Sequence, residues 1–309
     1  MSNRVEISVV IPVYNSETIL VELANQINDA LSEYRYEVIF VNDGSVDSSW
    51  EIVEEIAINR KSVTGICLSK NFGQDNAIMA GLRLSNSDSV VIMDDDLQHS
   101  PYDIVALLEE IKNGFDVCYA DYSHFKKQSL LKNIGSAINS KQAEYFIGKP
   151  SKIYLSPFKI ISRSVVDSII SYDGPYPYID GLIFQTTGSI VQVKVKHNKR
   201  HQGHGSYSLK KSLAVFLNHT TGFSVTPLRM ASFIGLLISI LGFLAGVFYI
   251  IQYIYNDQIV VGWTTLVVLQ LFIGGLIIMF LGLIGEYLGR AYLSINNKPQ
   301  YVIKKISSG

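Results

Sequence analysis

Two stretches near the C-terminal end contain no charged side chain: residues 230–256 and residues 259–285. About 20 apolar residues are enough for a helix to cross the hydrocarbon core of a bilayer, and both stretches exceed that length. Only a short polar turn around Asp257 separates them. The pattern therefore predicts two transmembrane helices, at about 230–255 and 260–287. The alternative is a buried helical pair in a soluble core, but such helices rarely lack every charge over this length.

Basic residues flank this predicted hairpin and are absent from the turn inside it. They are Lys210, Lys211 and Arg229 before the hairpin, and Arg290, Lys298, Lys304 and Lys305 after it. Lys and Arg collect on the cytoplasmic side of membrane helices, so both ends are predicted at the cytoplasmic face of the inner membrane. Residues 208–229 mix apolar and basic residues, which favours an interfacial helix. Residues 290–309 are predicted to form a short basic tail.

Residues 1–207 alternate short apolar strands with amphipathic helices. Strands are predicted at 5–13, 36–42, 64–69, 89–93 and 117–120, and helices at 16–31, 47–58, 74–84 and 101–112. Ser16 is the predicted N-cap of the first helix. This alternation predicts an α/β domain with a mostly parallel, Rossmann-like sheet and helices on both faces. Ligands of such sheets bind beyond the carboxyl ends of the strands.

Polar clusters follow three of the predicted strands, at residues 12–15, 42–45 and 94–98, and a binding site is expected where they converge. In the third cluster, neighbouring carboxylates raise one another's pKa unless a cation neutralises them. Asp94 and Asp96, with the amide oxygen of Gln98, could hold Mg²⁺ or Mn²⁺ against a diphosphate. The alternative is helix capping, since acidic residues are common near a helix N-terminus.

Two further residues near strand ends suggest an anionic or nucleoside ligand. Asp43 stands beside Gly44, and its carboxylate could accept hydrogen bonds from a nucleobase edge. Lys70 precedes the third predicted helix, where an ammonium group and a helix N-terminus favour an anion. A turn with a helix cap remains the alternative at the first position, and Lys70 alone is a weak signal. The net charge of −1 gives no basic field for nucleic acid.

Together these clusters resemble glycosyltransferase family 2, which has a GT-A fold, and within it the polyprenyl-phosphate glycosyltransferases of the dolichol-phosphate mannose synthase type. The matching stretches are residues 10–15, 41–45, 71–74, 77–81, 94–98, 226–229 and 285–290. The resemblance implies a metal-dependent, inverting sugar transfer from a nucleotide-sugar donor to polyprenyl (undecaprenyl) phosphate. The product would be a lipid-linked monosaccharide for cell-envelope glycan modification. A homo-oligomer is left open.

The resemblance also implies roles for individual residues. Pro12, Tyr14 and Asp43 would contact the nucleoside, Lys70 and Gln74 would belong to the same donor site, and Asp95 would lie beside the ribose or diphosphate. Asp94, Asp96 and Gln98 would hold Mg²⁺ or Mn²⁺, which makes Asp96 a catalytic residue as well. Arg200, in the stretch 197–208, would reach the diphosphate or the acceptor phosphate.

One stretch departs from the pattern of related bacterial enzymes, which have an Asp, an aromatic residue and an Arg before a Ser-Arg pair. Here Pro157, Phe158 and Lys159 occupy those positions, so a proposed catalytic carboxylate is missing. Asp180 is a candidate substitute, as an acid–base or as a ligand of a sugar hydroxyl, with helix capping as the alternative. A phosphate monoester has a second pKa of about 6, so such an acceptor is largely dianionic at pH 7 and needs no general base.

Two other functions stay open from the sequence. A processive polysaccharide synthase of the same superfamily would need more membrane helices, and its Gln-x-x-Arg-Trp motif is absent. A non-catalytic membrane partner derived from the enzyme would explain Pro157 and Lys159, but the intact acidic triplet opposes it. The sequence gives neither the sugar nor the nucleotide base.

Overall fold

The computed structural model describes residues 5–122, 150, 153–195, 226–255, 262–296 and 299–309. The chain divides into two compact units, and the first contains residues 1–207 together with residues 297–309. The second unit is the segment between them, residues 208–296. The chain therefore leaves the first unit, passes through the second and returns to the first.

The first unit is built on an eight-stranded sheet with the order β7-β5-β6-β4-β1-β2-β3-β8. Its strands are β1 Ile7–Val13, β2 Tyr36–Asn42, β3 Val63–Leu68, β4 Ser89–Ile92, β5 Val117–Asp121, β6 Lys159–Ser162, β7 Ile190–Lys194 and β8 Ile303–Ser308. Its described helices are α1 Leu20–Ala30, α2 Ser49–Asn59, α3 Gln74–Leu84, α4 Ile104–Lys112, α5 Arg163–Ile170 and α6 Ile179–Thr186, with a 3₁₀ turn at Pro101–Asp103 before α4.

The centre of this sheet is parallel and fully buried, as the sequence predicts. Strand β1 pairs in parallel with β2 on one side and β4 on the other. All seven residues of β1 are buried, because helices cover both faces of the sheet. Antiparallel pairs occur where β6 lies between β4 and β5, and at the β3–β8 edge. The predicted α/β fold with a mostly parallel sheet is confirmed.

Most predicted elements lie within a few residues of the observed ones, but the predicted start of the first helix is wrong. Helix α1 begins at Leu20, and its N-cap position is Ile19, which makes no side-chain capping bond. The hydroxyl of Ser16 donates instead to Oδ2 of Asp95 at 2.6 Å. Because the Ser16 hydroxyl bonds to the Asp95 carboxylate, it does not cap the first helix, and α1 starts later than predicted.

The last strand, β8, was not predicted. Residues 303–308 pair antiparallel with β3, in a register that joins Ser308 to Thr64 and Lys305 to Cys67. The ammonium of Lys305 also forms an ion pair with Glu54 of α2. The sequence suggested only a basic tail, because two lysines interrupt the apolar pattern that marks the buried strands.

The second unit contains two long helices, α7 Thr226–Tyr255 and α8 Trp263–Ile295. Within them, Ala231–Phe248 and Phe272–Gly289 are long and apolar enough to cross a membrane. Only 6% and 0% of these two windows are buried, which is unlike the core helix of a soluble protein. The predicted pair of apolar C-terminal helices is confirmed. Most of the predicted interfacial helix, residues 208–225, lies outside the described residues.

Candidate active site

The loops that follow β4, β1 and β2 lie side by side, because these three strands are neighbours in the sheet. Direct contacts join them. The N–H of Tyr14 donates to Asp95 Oδ2 at 3.2 Å, which links the first loop to the third. The N–H of Asn15 donates to Ser45 Oγ at 3.0 Å, and Asn15 Oδ1 accepts from the N–H of Val46 at 2.9 Å. The predicted convergence of the three polar clusters is therefore observed.

Two residues of these loops adopt a left-handed backbone although neither is glycine: Asn15 has φ 54° and Leu97 has φ 57°. This conformation costs an L-residue roughly 1–2 kcal/mol. For Leu97 the burial of its side chain holds the strained turn in place. Strain of this kind is concentrated at ligand sites. Since Leu97 stands between Asp96 and Gln98, its turn sets the directions of both side chains.

Each carboxylate of the acidic loop, residues 94–98, is oriented by a different part of the chain. Asp94 Oδ1 accepts from Nε2 of Gln74, on α3, at 2.8 Å. Asp95 Oδ2 accepts from Tyr14 and Ser16, after β1. Asp96 accepts from the backbone N–H of Gln98 at 3.1 Å and from its Nε2 at 2.6 Å. The amide of Gln98 thus serves Asp96 as a donor, and its role as a metal ligand stays a prediction.

The acidic loop carries more negative charge than its surroundings neutralise. Burial, together with the charges of Asp96 and Asp95, raises the pKa of Asp94 to about 7 against the opposing effects of Lys159 and Gln74. Burial also raises the pKa of Asp95, although the hydrogen bonds from Ser16 and Tyr14 work in the other direction. A divalent cation would relieve this excess, and carboxylate oxygens are the ligands that hard cations prefer.

The residues of the acidic loop fit such a cation only as one part of a larger coordination shell. Within the described ranges, no group of three or more His, Cys, Asp or Glu side chains is arranged to enclose a metal ion. An ion such as Mg²⁺ typically uses one or two protein carboxylates and completes its shell with phosphate oxygens and water. Asp94 and Asp96 match that smaller requirement.

Asp43 joins the second loop to the start of α3. Its Oδ1 accepts from the N–H of Phe72 at 2.7 Å and its Oδ2 from the N–H of Gly73 at 2.9 Å. Burial raises the pKa of Asp43, against these two backbone bonds. Gly44, at φ 67°, lets the two segments approach closely, since a Cβ there would lie 2.5 Å from the backbone nitrogen of Asn71. Asp43 has further lone pairs for a nucleobase, but the observed contacts are those of a loop brace.

The remaining predicted donor residues border the same edge of the sheet. Pro12 is buried in β1, and the Tyr14 side chain is 50% exposed. Lys70 is exposed, and its ammonium lies 5.0 Å from the ring centroid of Phe72. Gln74 opens α3 and contacts Asp94, as described above. Arg200 lies outside the described residues, so its predicted contact with phosphate stays a prediction.

Beside the acidic loop lies a second polar group, the ion-pair cluster, formed by Lys159, Asp180, Tyr119 and Asp75. The ammonium of Lys159 and the carboxylate of Asp180 form an ion pair, with side chains 5% and 16% exposed. The hydroxyl of Tyr119 donates to the same Asp180 Oδ1 at 2.8 Å. The Lys159 ammonium lies 5.1 Å from the centroid of the Tyr119 ring. Asp180 therefore already has two partners from two strands.

Asp75 gives the ion-pair cluster a further negative charge. Burial, together with the charge of Asp180, raises the pKa of Asp75 to about 6 against the opposing effects of Lys159 and the backbone N–H of Ile179. A single buried ammonium thus faces the carboxylates of Asp180 and Asp75 and also acts on Asp94. Sequence reasoning singled out Lys159 only as a departure from a pattern. A basic residue, Lys159, in an otherwise largely apolar strand was the sequence signal that could have indicated a buried ion pair.

The chain around Pro157 is packed by aromatic side chains. Pro157 itself is exposed, whereas Phe158 is fully buried and its ring lies 5.5 Å from the imidazole of His99. The same imidazole stacks on Tyr122 at 5.3 Å, and the Tyr122 hydroxyl lies 2.6 Å from Ser156 Oγ. Position 157 supplies no carboxylate, so the acidic side chains described at this site belong to the acidic loop and the ion-pair cluster.

The parallel sheet, the converging loops and the acidic loop define a GT-A-like glycosyltransferase. Residues 8–170 match the family model described as glycosyl transferase family 2. Because this match covers more than half of the chain, the chain belongs to that family. The enzyme class predicted from the sequence is confirmed.

Curated relatives match over nearly their whole length. An uncharacterized glycosyltransferase of Bacillus subtilis is 32% identical, over 99% of this chain and 95% of the relative. A prophage-derived bactoprenol glucosyl transferase of Shigella flexneri is 31% identical, over 98% and 99%. An undecaprenyl-phosphate 4-deoxy-4-formamido-L-arabinose transferase of Proteus mirabilis is 31% identical, over 97% and 94%. With the two apolar helices, these relatives identify the chain as membrane-associated.

Solved structures confirm the fold of the first unit. Glucosyl-3-phosphoglycerate synthase from Mycobacterium tuberculosis, in complex with Mn²⁺, uridine diphosphate and phosphoglyceric acid, has a TM-score of 0.53 and 20% identity, covering 71% of this chain and 77% of that one. Mannosyl-3-phosphoglycerate synthase from Rubrobacter xylanophilus has a TM-score of 0.51 and 14% identity, covering 73% and 74%. At these identities the similarity is one of fold.

Proposed function

We propose that this chain transfers a sugar from a nucleotide-sugar donor to undecaprenyl phosphate at the cytoplasmic face of the inner membrane. The observation that carries the proposal is the acidic loop, which lies where three strand-end loops converge, in a chain that also has two apolar helices. The names of the relatives, bactoprenol glucosyl transferase and undecaprenyl-phosphate formamido-arabinose transferase, support a polyprenyl phosphate acceptor.

The return of the chain to the sheet supports the proposed orientation. Strand β8 follows both apolar helices and pairs with β3, so the chain segments before and after the hairpin belong to one compact unit, which must lie on one side of a membrane. Two crossings satisfy this requirement, whereas one crossing does not. The basic residues at both ends of the hairpin then favour the cytoplasm as that side.

Asp94, Asp96 and Gln98 would hold a divalent cation, either Mg²⁺ or Mn²⁺, against the diphosphate of the donor. When bound, the ion supplies positive charge that stabilises the departing nucleoside diphosphate. The mycobacterial synthase of similar fold was solved with Mn²⁺ and uridine diphosphate, which is consistent with a divalent ion at such a site. Pro12, Tyr14, Asp43, Lys70 and Gln74 would surround the nucleoside and phosphates, and Asp95 is held beside them by Tyr14 and Ser16.

The reaction is a single displacement. A phosphate oxygen of the acceptor forms a bond to the anomeric carbon while the bond to the donor diphosphate breaks, so the configuration inverts. The acceptor phosphate is already dianionic in large part at pH 7, so no proton has to be removed first. Catalysis then depends on alignment and on neutralising the leaving group, for which Arg200 is the proposed second cation.

Asp180 is proposed to bind a sugar hydroxyl or to orient the site. Lys159 and Tyr119 both contact the same Oδ1 of the Asp180 carboxylate, and both side chains come from strands of the sheet. The observed contacts of Asp180 with Lys159 and Tyr119 thus favour the positioning role over the acid–base role among the two that the sequence suggested.

The direct test is to incubate membranes containing the full chain with undecaprenyl phosphate, Mg²⁺ or Mn²⁺ and a panel of nucleotide sugars, and to identify the lipid product by mass spectrometry. We expect one sugar per lipid, product lower by a factor of about 10² or more in Asp96→Ala, and normal product from the matched control Asp29→Ala, an exposed acid near the far end of α1. Polymer formation, or transfer only to soluble acceptors, would contradict the proposal.

A further inference from the structure

The segment that follows the second apolar helix contacts the catalytic domain through Gln300. Helix α8 ends at Ile295, and only a few residues separate it from this side chain. Gln300 is 6% exposed, and its Nε2 donates to two backbone carbonyls, those of Tyr172 at 2.8 Å and Gly174 at 2.6 Å. Both carbonyls belong to the α5–α6 loop, residues 171–178. A buried side chain with two donated bonds to one loop fixes the position of that loop.

Arg83, near the C-terminal end of α3, is a second donor to the same loop. Its Nη2 donates to the carbonyl of Tyr172 at 3.1 Å and to Oδ1 of Asp173 at 2.8 Å. Its guanidinium carbon lies 5.7 Å from the centroid of the Tyr301 ring, next to Gln300 in the chain. The carbonyl of Tyr172 therefore accepts from both Arg83 and Gln300. The loop is thus hydrogen-bonded both to α3 and to the segment that follows the second apolar helix.

The α5–α6 loop is conformationally restricted, so a shift at its Gln300 contact would also move the start of α6. Pro175 and Pro177 fix two of its φ angles. The Tyr172 ring folds back over Gly174, where a Cβ would lie 2.2 Å from the Tyr172 hydroxyl. That hydroxyl donates to the carbonyl of Tyr176 at 3.4 Å. The loop thus leads as a stiff segment from the Gln300 contact to the start of α6.

Helix α6 begins in the ion-pair cluster. The backbone N–H of Ile179, its first residue, donates to Asp75. The next residue, Asp180, accepts from Lys159 and Tyr119. The position of Asp180 is therefore constrained from two ends, by the ion-pair cluster directly and by Gln300 through the α5–α6 loop.

We propose that Gln300 is a positioning residue for sugar transfer, which fixes the α5–α6 loop and through it Asp180. The segment leaving the second membrane helix thereby takes part in forming the active site. This inference rests on the proposed function for its kinetic consequence, because it presumes that Asp180 borders the reacting sugar. Its structural consequence, the order of the α5–α6 loop, requires no substrate.

The kinetic test compares Gln300→Met, which keeps the length of the side chain and removes both donors, with Lys305→Met. The second variant lies in the same C-terminal segment and loses the ion pair with Glu54, but it does not touch the loop. For the full-length protein in membranes we expect kcat to fall by about threefold to tenfold in Gln300→Met, because the variant acts through the position of Asp180 and should cost no more than a replacement of Asp180 itself. The KM for the nucleotide sugar should stay within about twofold of wild type, and Lys305→Met should keep wild-type kcat.

The structural test measures amide hydrogen exchange in peptides covering residues 171–182. Exchange should be faster in Gln300→Met than in wild type and unchanged in Lys305→Met. Gly174→Ala is a second variant that disturbs the same contact from the loop side, because its Cβ would displace the Tyr172 ring. It should show the same faster exchange and a fall in kcat of similar size.

Three results would overturn the proposal: wild-type exchange in Gln300→Met, faster exchange with wild-type kcat, or an equal loss of kcat in Lys305→Met. The last result would mean that the C-terminal segment only stabilises the sheet. If the wild-type protein transfers no sugar to undecaprenyl phosphate, the proposed function fails, and the exchange comparison still decides whether Gln300 fixes the loop.

Discussion

The acidic loop and the ion-pair cluster lie next to each other, yet they are held in different ways. The acidic loop is oriented by backbone N–H groups, such as those of Tyr14 and Gln98, and by polar side chains, such as that of Ser16. The ion-pair cluster depends on direct contacts between side chains that come from β5, β6 and α6. The members of the first arrangement form one short contiguous motif, residues 94–98, although Tyr14 and Ser16 reach it from the end of another strand. The second depends on which distant strands become neighbours, so a motif reveals only its members and not their pairing.

The largest effect is expected for loss of an acidic-loop carboxylate. Asp96→Ala should lower the rate of transfer by a factor of about 10² to 10³ or more, since charge neutralisation at the leaving group would be lost. Initial rates of lipid product formation at saturating Mg²⁺ and Mn²⁺ would measure this. The Asp29→Ala control should keep the wild-type rate. Substantial activity in Asp96→Ala would show that the acidic loop is no more important for transfer than the residues around it.

The next largest effect is expected for Lys159→Met, which leaves buried carboxylates without their ammonium partner. Removing one member of a buried ion pair typically costs about 3–5 kcal/mol, so a clear drop in the thermal midpoint is expected. The measurement is thermal unfolding of the full chain in detergent. The double variant Lys159→Met/Asp180→Asn should recover part of the loss, because one of the uncompensated charges is gone. A midpoint equal to wild type in the single variant would show that Lys159 is not the compensating charge.

A smaller, pH-dependent effect is expected for Asp75→Asn. The folded protein holds the Asp75 proton up to a pKa of about 6, above the ordinary value of 3.8. The folded state therefore binds more protons than the unfolded state between these pH values, so Asp75 destabilises the fold increasingly as pH rises through that interval. The penalty is complete above about pH 6 and amounts to at most about 3 kcal/mol.

Asp75→Asn should accordingly raise the thermal midpoint at pH 8 and change it little at pH 4. Glu22→Gln, an exposed acid on α1, is the matched control and should show no such difference. A variant that is less stable than wild type at pH 8 would mean that the Asp75 carboxylate, despite its burial, is needed in its charged form.

The smallest effect is expected for Asp180→Asn. If Asp180 orients the site, the amide oxygen in the Asp180→Asn variant can still accept the hydrogen bond from Tyr119, and kcat should fall by no more than about tenfold. A general acid–base contributes about 10² to 10⁴, so a loss of that size would establish the acid–base role instead. Unchanged turnover would exclude the catalytic version altogether. The pH dependence of kcat separates the remaining cases, since a lost general base also removes one limb of the profile.

The sequence predicted the parts of the molecule that are encoded locally. Strand 36–42 and helix 74–84 were placed as observed, because the first contains the apolar run 38–41 and the second is an amphipathic stretch with a glycine before it. The convergence of residues 12–15, 42–45 and 94–98 followed from the rule that parallel strands present their carboxyl ends at one edge.

The sequence could not predict the contacts between residues that lie far apart in the chain. Ser16 was assigned to the nearest helix, whereas its hydroxyl reaches Asp95, 79 positions away. Lys159 and Asp180 were noted separately, and only the neighbouring positions of β5, β6 and α6 bring them together. The pairing of β8 with β3 joins the two ends of the domain, and no periodicity within residues 303–308 specifies that partner.

The pairing of β8 with β3 also has a consequence for how the protein is made. Chains fold from the N-terminus during synthesis, and residues 303–308 leave the ribosome after both apolar helices. Until then the edge of β3 has no partner, and an open strand edge is a template for wrong pairing. The sheet therefore closes only after the two apolar helices have been synthesised. Completion of the catalytic domain is in this way delayed until the segment that follows the second apolar helix has paired with β3.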